Sequence, residues 1–101
     1  MKKKSLRKFK HRAYMPHKDS EGNILEAYSD EIHEDEALIW PAGSKLQTEL
    51  YGLRINSIMN MHYYGILEIE EHDMIIYEGI SHKVISVKKS RRFRGLEIER
   101  L

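Results

Sequence analysis

The sequence predicts a mainly β fold: a small antiparallel barrel or sandwich of about six or seven short strands, with one long inter-strand loop carrying a short helical turn. Three observations lead there. From His11 onward, short apolar or alternating segments recur between Gly, Pro, Asn and Asp turn signals. Ser44–Tyr51 stands apart with a helix-start signature. The 101 residues suit one domain, and no internal repeat is present.

The elements follow in order. His11–His17 reads as a first strand interrupted by Pro16, which suits an edge or a strand end. Asp19-Ser20-Glu21-Gly22-Asn23 is a turn, since Asp bonds its own backbone and Gly or Asn accepts positive φ. Ile24–Tyr28 returns, so 11–28 reads as a hairpin. Glu36–Trp40 is a third strand, stopped by Pro41-Ala42-Gly43. Ser44 and Gln47 match a capping box, Leu46 and Leu50 lie four apart, and Gly52 supplies a stop. Arg54–Tyr64 fits both helical and strand templates; a strand is favoured because its neighbours are strands and a meander needs a partner there.

Ile66–Ile69 is a short strand or an approach to one, and Glu70–Asp73 a turn. Met74–Tyr77 is an apolar strand, and Glu78–Ser81 a hairpin loop. His82–Lys88 has apolar residues on both faces, which suits a central strand. Lys89–Arg94 is a charged loop. Gly95–Leu101 alternates Leu96, Ile98 and Arg100 against Glu97, Glu99 and Leu101. Residues 1–10 are expected to form a flexible basic tail, and residues 11–101 a single β domain.

The formal net charge of +1 conceals a sharp segregation. Residues 1–18 hold Lys2, Lys3, Lys4, Arg7, Lys8, Lys10, Arg12 and Lys18 with no acid, a block of +8. Residues 19–36 hold Asp19, Glu21, Glu26, Asp30, Glu31, Glu34, Asp35 and Glu36 with no Lys or Arg, a block of −8. A second basic run gathers Lys83, Lys88, Lys89, Arg91, Arg92 and Arg94. Such segregation suggests charged faces that meet a partner, against the alternative of a solvated surface.

Catalytic chemistry finds little support. Without cysteine there is no disulfide framework, thiol nucleophile or Cys-based zinc site. His33-Glu34-Asp35-Glu36 lacks the second His of a metalloprotease helix and reads as a solvated acidic loop. His72 beside Asp73 resembles a base with its orienting carboxylate, but no nucleophile is tied to it by spacing. There is no P-loop or GxGxxG motif. The chain is therefore expected to be a non-enzyme without metal or cofactor. Its apolar runs fall far short of the ~18 residues a membrane span needs, and the basic start leads into no apolar h-region. Tyr14, Tyr28, Tyr63 and Tyr64 read chiefly as core and rim packing, with an interface as the alternative.

From Arg12 to Val87 the chain resembles the tailed-phage head–tail connector proteins of the head-completion or stopper type. The resemblance rests on the order and spacing of several pieces: Arg12-Ala13-Tyr14, the Asp19–Asn23 turn, Ala37–Gly43, Lys45-Leu46-Gln47-Thr48-Glu49-Leu50-Tyr51-Gly52, Glu71–Tyr77, Gly79 and Lys83–Val87. His82 departs from it, standing where similar proteins often carry Tyr. The resemblance implies a small β-barrel, phage- or prophage-encoded and placed at the head–tail interface of the virion, in the host cytoplasm during assembly. It implies a ring of copies beneath the portal and adaptor that closes the DNA exit channel and offers a docking face to the tail completion protein.

The channel or partner loop it implies is Pro41–Arg54, represented by Pro41, Ala42, Gly43, Ser44, Lys45, Gln47, Glu49, Tyr51, Gly52 and Arg54. The residues themselves suggest complementary contact surfaces for such a ring. The basic set is Lys8, Lys10, Arg12, Lys88, Lys89, Arg91, Arg92 and Arg94, with non-specific contact to packaged DNA as a further role. The acidic set is Glu26, Asp30, Glu31, Glu34, Asp35 and Glu36. The competing hypothesis is a β-barrel nucleic-acid-binding module that uses both basic runs, with Phe9 and Phe93 stacking on bases.

Overall fold

Phe9 decides where the barrel begins. The computed structural model describes residues 5–101, and in it Phe9 is buried at 2 % exposure, with Lys8 and Lys10 on either side facing outward. The first strand, β1, therefore spans Arg7–Arg12. The boundary expected between Lys10 and His11 is corrected: Arg7–Lys10 belong to the domain because Phe9 fills its core. The first four residues of the expected tail lie outside the described residues.

Two short strands follow, β2 (His17–Lys18) and β3 (Ile24–Leu25), then β4 (His33–Pro41). A helix α1 (Lys45–Tyr51) continues into a 3₁₀ segment (Gly52–Ser57). The chain closes with β5 (Ile58–Tyr63), β6 (Met74–Tyr77), β7 (Ile80–Lys89) and β8 (Arg94–Arg100). Six strands form a closed barrel in the order β1-β4-β5-β8-β7-β6, with β6 returning to β1 and every pairing antiparallel. Closure removes the free strand edges on which copies would otherwise pair.

The predicted 11–28 hairpin is real but stands apart from the barrel as an arm. Met15 N–H donates to the Ala27 carbonyl and Ser29 N–H to that of Ala13, and the regular pairing is confined to His17–Lys18 against Ile24–Leu25. Its turn is held by Asp19, whose Oδ1 accepts from Glu21 and Asn23 N–H at 2.9 Å each. The Asn23 bond foremost holds the Asp19 carboxyl below its usual range. The strands expected at 11–17 and 24–28 are thus broken: His11 and Arg12 end β1, and only the isolated Tyr14–Tyr28 bridge pairs the chain before β2 and β3.

Further expectations change. β4 begins at His33 rather than Glu36, so His33–Glu36, expected as a solvated acidic loop, is strand paired with β1. Arg54–Ser57 completes the 3₁₀ segment, and strand begins only at Ile58, where partners exist on both sides: Pro41 opposite Met59 and Glu99 opposite Ile58. Ile66–Ile69 forms no strand; it is a loop whose Ile69 plugs the core. The β6–β7 loop shrinks to Glu78 and Gly79, both at positive φ (53° and 76°), the geometry of a tight twisted hairpin turn. The two-faced pattern of His82–Lys88 also has a different cause. A β-bulge between Val84 and Ser86 shifts the pleat by one residue, so that Val84 and Val87 both turn inward, opposite Ile98 and Leu96.

The core gathers Phe9, Ala37, Met61 and Tyr63 from β1, β4 and β5, and Ile75, Val84, Leu96 and Ile98 from β6 to β8. Phe9 meets Tyr63 edge-on at 5.6 Å. The Tyr63 hydroxyl donates to Asp35 at 2.5 Å and accepts from Leu67 N–H. Burial, then that carboxylate, pushes the Tyr63 phenol up to about 12. His82 is also inside, with Nδ1 2.9 Å from the Ile80 carbonyl. Burial lowers its pKa from 6.5, so the folded state resists a proton that the unfolded chain accepts. The sign follows: its contribution is intact above about pH 6.5 and is lost as pH falls through the lower folded value. We expect urea midpoints to drop on acidification below about pH 6.5, and His82→Gln to flatten that slope. An equal slope in the variant would contradict this assignment.

Candidate interaction surfaces

The basic and acidic blocks meet inside one subunit. In the β1–β4 register Lys8 lies opposite Glu36 and Lys10 opposite Glu34, outward-facing pairs of opposite sign. Arg12 turns to the base of the arm, where Nε donates to the Ser29 carbonyl at 2.8 Å and the guanidinium lies 5.9 Å from the Tyr28 ring centroid. Asp35 points inward to Tyr63. The expected complementary faces are therefore partly matched within the fold. Glu26, Asp30 and Glu31 remain exposed on the arm and its return.

The predicted partner loop is pinned to the barrel along one side. Pro41 ends β4 opposite Met59, and Ala42 N–H continues the ladder to the Ile58 carbonyl. Ser44 caps α1: its Oγ accepts from Gln47 N–H at 3.1 Å, while Gln47 Oε1 accepts from Ser44 and Gly43 N–H. This is the capping box read from the sequence. Gly52, at φ 58°, sends its N–H back to Thr48.

Three side chains then reach the outer face of β5 and β8. Gln47 Nε2 donates to Asn60 Oδ1 at 2.5 Å and Glu97 Oε2 at 2.7 Å. The Tyr51 hydroxyl donates to Glu97 Oε1 at 2.6 Å. Arg54 makes a two-pronged pair with Glu99 at 2.7 and 3.0 Å. Desolvation foremost, helped by Glu97, pushes the Tyr51 phenol up to about 12, while the Arg54 hydrogen bond lowers Glu99. Lys45 and Glu49 face solvent.

What the pinned loop displays is apolar. Leu46, Leu50 and Leu53 are 72, 67 and 93 % exposed, and α1 buries no residue. The arm does the same with Met15, Ile24 and Leu25, joined by Ile32 on the return. A hollow of about 530 Å³ opens between α1 and the barrel, lined by Trp40, Leu46, Leu50, His62 and Leu96 among others. Clusters of this kind mark contact surfaces more often than scattered single residues do.

The second basic run divides. Lys89 pairs with Glu70 at 3.3 Å, and Arg94 bonds Glu68 and the Leu67 carbonyl. Lys88, Arg91 and Arg92 stay exposed. Phe93 joins a group of rings that the sequence did not reveal: it lies 4.6 Å from His62 and 5.6 Å from Tyr64, and His62 lies 4.7 Å from Trp40. Phe9, the other aromatic proposed for base stacking, is in the core and cannot serve.

The suspected His72–Asp73 dyad is also rearranged. His72 is exposed at φ 77°, beside Tyr14. Asp73 is buried and bonds His11 Nε2 instead, at 2.8 Å. The pair could not be read from spacing, since its partners stand 62 residues apart. Among the described residues no group of three or more His, Cys, Asp or Glu gathers as for a metal ion, and no helix is long and apolar enough to cross a membrane.

Compared with known proteins, the chain matches no protein-family model. No curated protein sequence matches it either. Among solved structures it is similar to the solution structure of protein SF1141 from Shigella flexneri 2a, with a TM-score of 0.65 at 14 % identity, over 93 % of this chain and 90 % of that one. At that identity the likeness shows the fold.

Proposed function

We propose that the chain is a structural subunit of a tailed-phage head–tail connector, of the head-completion or stopper type. Copies form a ring beneath the portal and adaptor, close the DNA exit channel and offer the tail completion protein its docking face. In this reading it acts in the virion after assembly in the host cytoplasm, carries no cofactor and is not an enzyme. Packaged DNA passes the exposed cations without being read.

The observation that carries the reading is the display of apolar side chains on two insertions of a closed barrel, Met15, Ile24 and Leu25 on the arm and Leu46, Leu50 and Leu53 on the pinned loop. A closed barrel has no edge to lend to a neighbour, and its insertions carry the exposed apolar side chains that self-association would use. Two different insertions supply the unlike faces that ring contacts require. The sequence resemblance, from Arg12 to Val87, supplies the setting.

The test is a Leu46→Asp/Leu50→Asp/Leu53→Asp variant in the phage or prophage that encodes the chain. Each site is exposed, so stability should change by no more than about 0.5 kcal/mol per substitution. Capsids should package DNA and then lose it, or fail to join tails. A normal yield of virions with a folded variant would sink the reading.

A further inference from the structure

We propose that the ring group outside β4, β5 and β8, together with the Ser90–Phe93 turn, binds single-stranded nucleic acid. The inference does not depend on the connector reading.

Two kinds of group converge there. The first is aromatic. Trp40, on β4, is 39 % exposed, and Tyr64, just after β5, is 56 % exposed. Between them lie His62 and Phe93, with neighbouring centroids 4.6 to 5.6 Å apart. His62 stands opposite Gly95 in the β5–β8 register, and both His62 and Phe93 lie over that glycine.

The second is cationic. Arg91 and Arg92 sit at the exposed turn tip, and the turn is tied shut by Ser90, whose N–H and hydroxyl both donate to the Phe93 carbonyl. Nearby acids are already engaged: Glu70 holds Lys89 and Glu68 holds Arg94. Among the described residues, no ion pair balances Lys88, Arg91 or Arg92. A polar hollow of about 290 Å³ lies between the two sets, lined by Tyr64, Arg91, Arg92 and Phe93 among others.

Exposed rings beside unpaired guanidinium groups match the two halves of a nucleotide, a π-face and a phosphate. Such a platform is tolerant of sequence, since every base has a face to stack. A duplex keeps its bases stacked on each other and would engage the cations alone, so the rings select an unpaired strand.

Trp40 is the only tryptophan of the chain, so its emission reports on the site. The full chain is titrated with an oligothymidylate of about 15 nucleotides at low salt, within the usual site-size range. Saturable quenching is expected, with an affinity that falls with salt at a log–log slope near −2, as about three cations on a single strand predict. Arg91→Glu/Arg92→Glu should weaken binding by tenfold or more and flatten the slope. Phe93→Leu should weaken it about tenfold with the slope unchanged. Because Phe93 packs on His62, Tyr64→Ala, at an exposed ring, is the second stacking variant and should weaken binding in the same way.

Three results would overturn the proposal. One is absence of saturable quenching. Another is equal affinity for the matching duplex, which would mean attraction to phosphate alone. The last is equal affinity for thymidine monophosphate, which would mean a nucleotide pocket rather than a strand platform.

Discussion

Replacing Asp73 with alanine should cost the barrel about 3 kcal/mol or more, from buried donors left without an acceptor at about 1–3 kcal/mol each, much of the 5–15 kcal/mol that holds a domain of this size together. The carboxylate is 4 % exposed and serves three donors. Oδ2 accepts from His11 Nε2 at 2.8 Å and Glu70 N–H at 2.9 Å; Oδ1 accepts from Tyr14 N–H at 2.8 Å. These donors come from β1, from the base of the arm and from the loop before β6, so one side chain ties three segments. Alanine would leave donors without acceptors in a dry site, each costing about 1–3 kcal/mol. Among the described residues, His11 Nδ1 is also buried without a hydrogen bond, so Asp73 is the ring's one hydrogen-bond partner there. Urea denaturation at neutral pH reads the loss. Asp73→Asn keeps one acceptor oxygen and should fall between wild type and alanine. A cost below about 1 kcal/mol for alanine would show that water or a local shift replaces the carboxylate.

That junction also marks where sequence reasoning stops. Features fixed by neighbours along the chain were legible: the Asp19 turn, the Ser44–Gln47 capping box, the Met74–Tyr77 strand and the alternation of Leu96 and Ile98. Each depends on spacings of a few residues, which a linear pattern preserves. Features fixed across the barrel were not. Asp73 was read with His72 because they are adjacent, yet its partner is His11 on a strand that pairs with β6. Phe9 was read with the lysines around it, although strand alternation turns it to the opposite side from them. The bulge in β7 escaped for a related reason: an extra residue shows in the sequence only as apolar residues out of phase, which also describes a doubly buried strand.

The candidate surfaces divide in the same way. The loop was legible from its Pro41 and Gly43 boundary and its cap. Its orientation was not, because that depends on Glu97 and Glu99, whose alternation marks them only as outward-facing. The ring group was invisible since Trp40, His62 and Phe93 come from three separate segments. The charge blocks were legible as a count and misleading as a map, because antiparallel pairing folds the +8 block partly onto the −8 block.

Glu97→Ala should melt the helix and leave the barrel standing. The helix has seven residues and buries none of them, and helices shorter than about 12–15 residues are marginal on their own. Its capping box closes the first turn but does not attach it to anything. Glu97 is the main anchor, accepting from Gln47 at one end of α1 and Tyr51 at the other, while Gln47 also bonds Asn60. A hydrogen bond to a charged group contributes about 1.5–3 kcal/mol, so losing both removes roughly 3 kcal/mol or more of local stability. Amide exchange over Thr48–Tyr51 should then accelerate by roughly a hundredfold, while amides of β5 and β8 keep their protection. Glu97 faces outward between Leu96 and Ile98, so its removal leaves the core intact. Glu97→Gln retains one acceptor oxygen and should give a smaller acceleration. Unchanged exchange in the alanine variant would mean that the Gln47–Asn60 bond and the Arg54–Glu99 pair hold the insertion without Glu97. The outcome also bears on assembly. If Leu46, Leu50 and Leu53 bind a neighbour from an ordered helix, melting it should reproduce the defect of the aspartate variants with all three leucines still present.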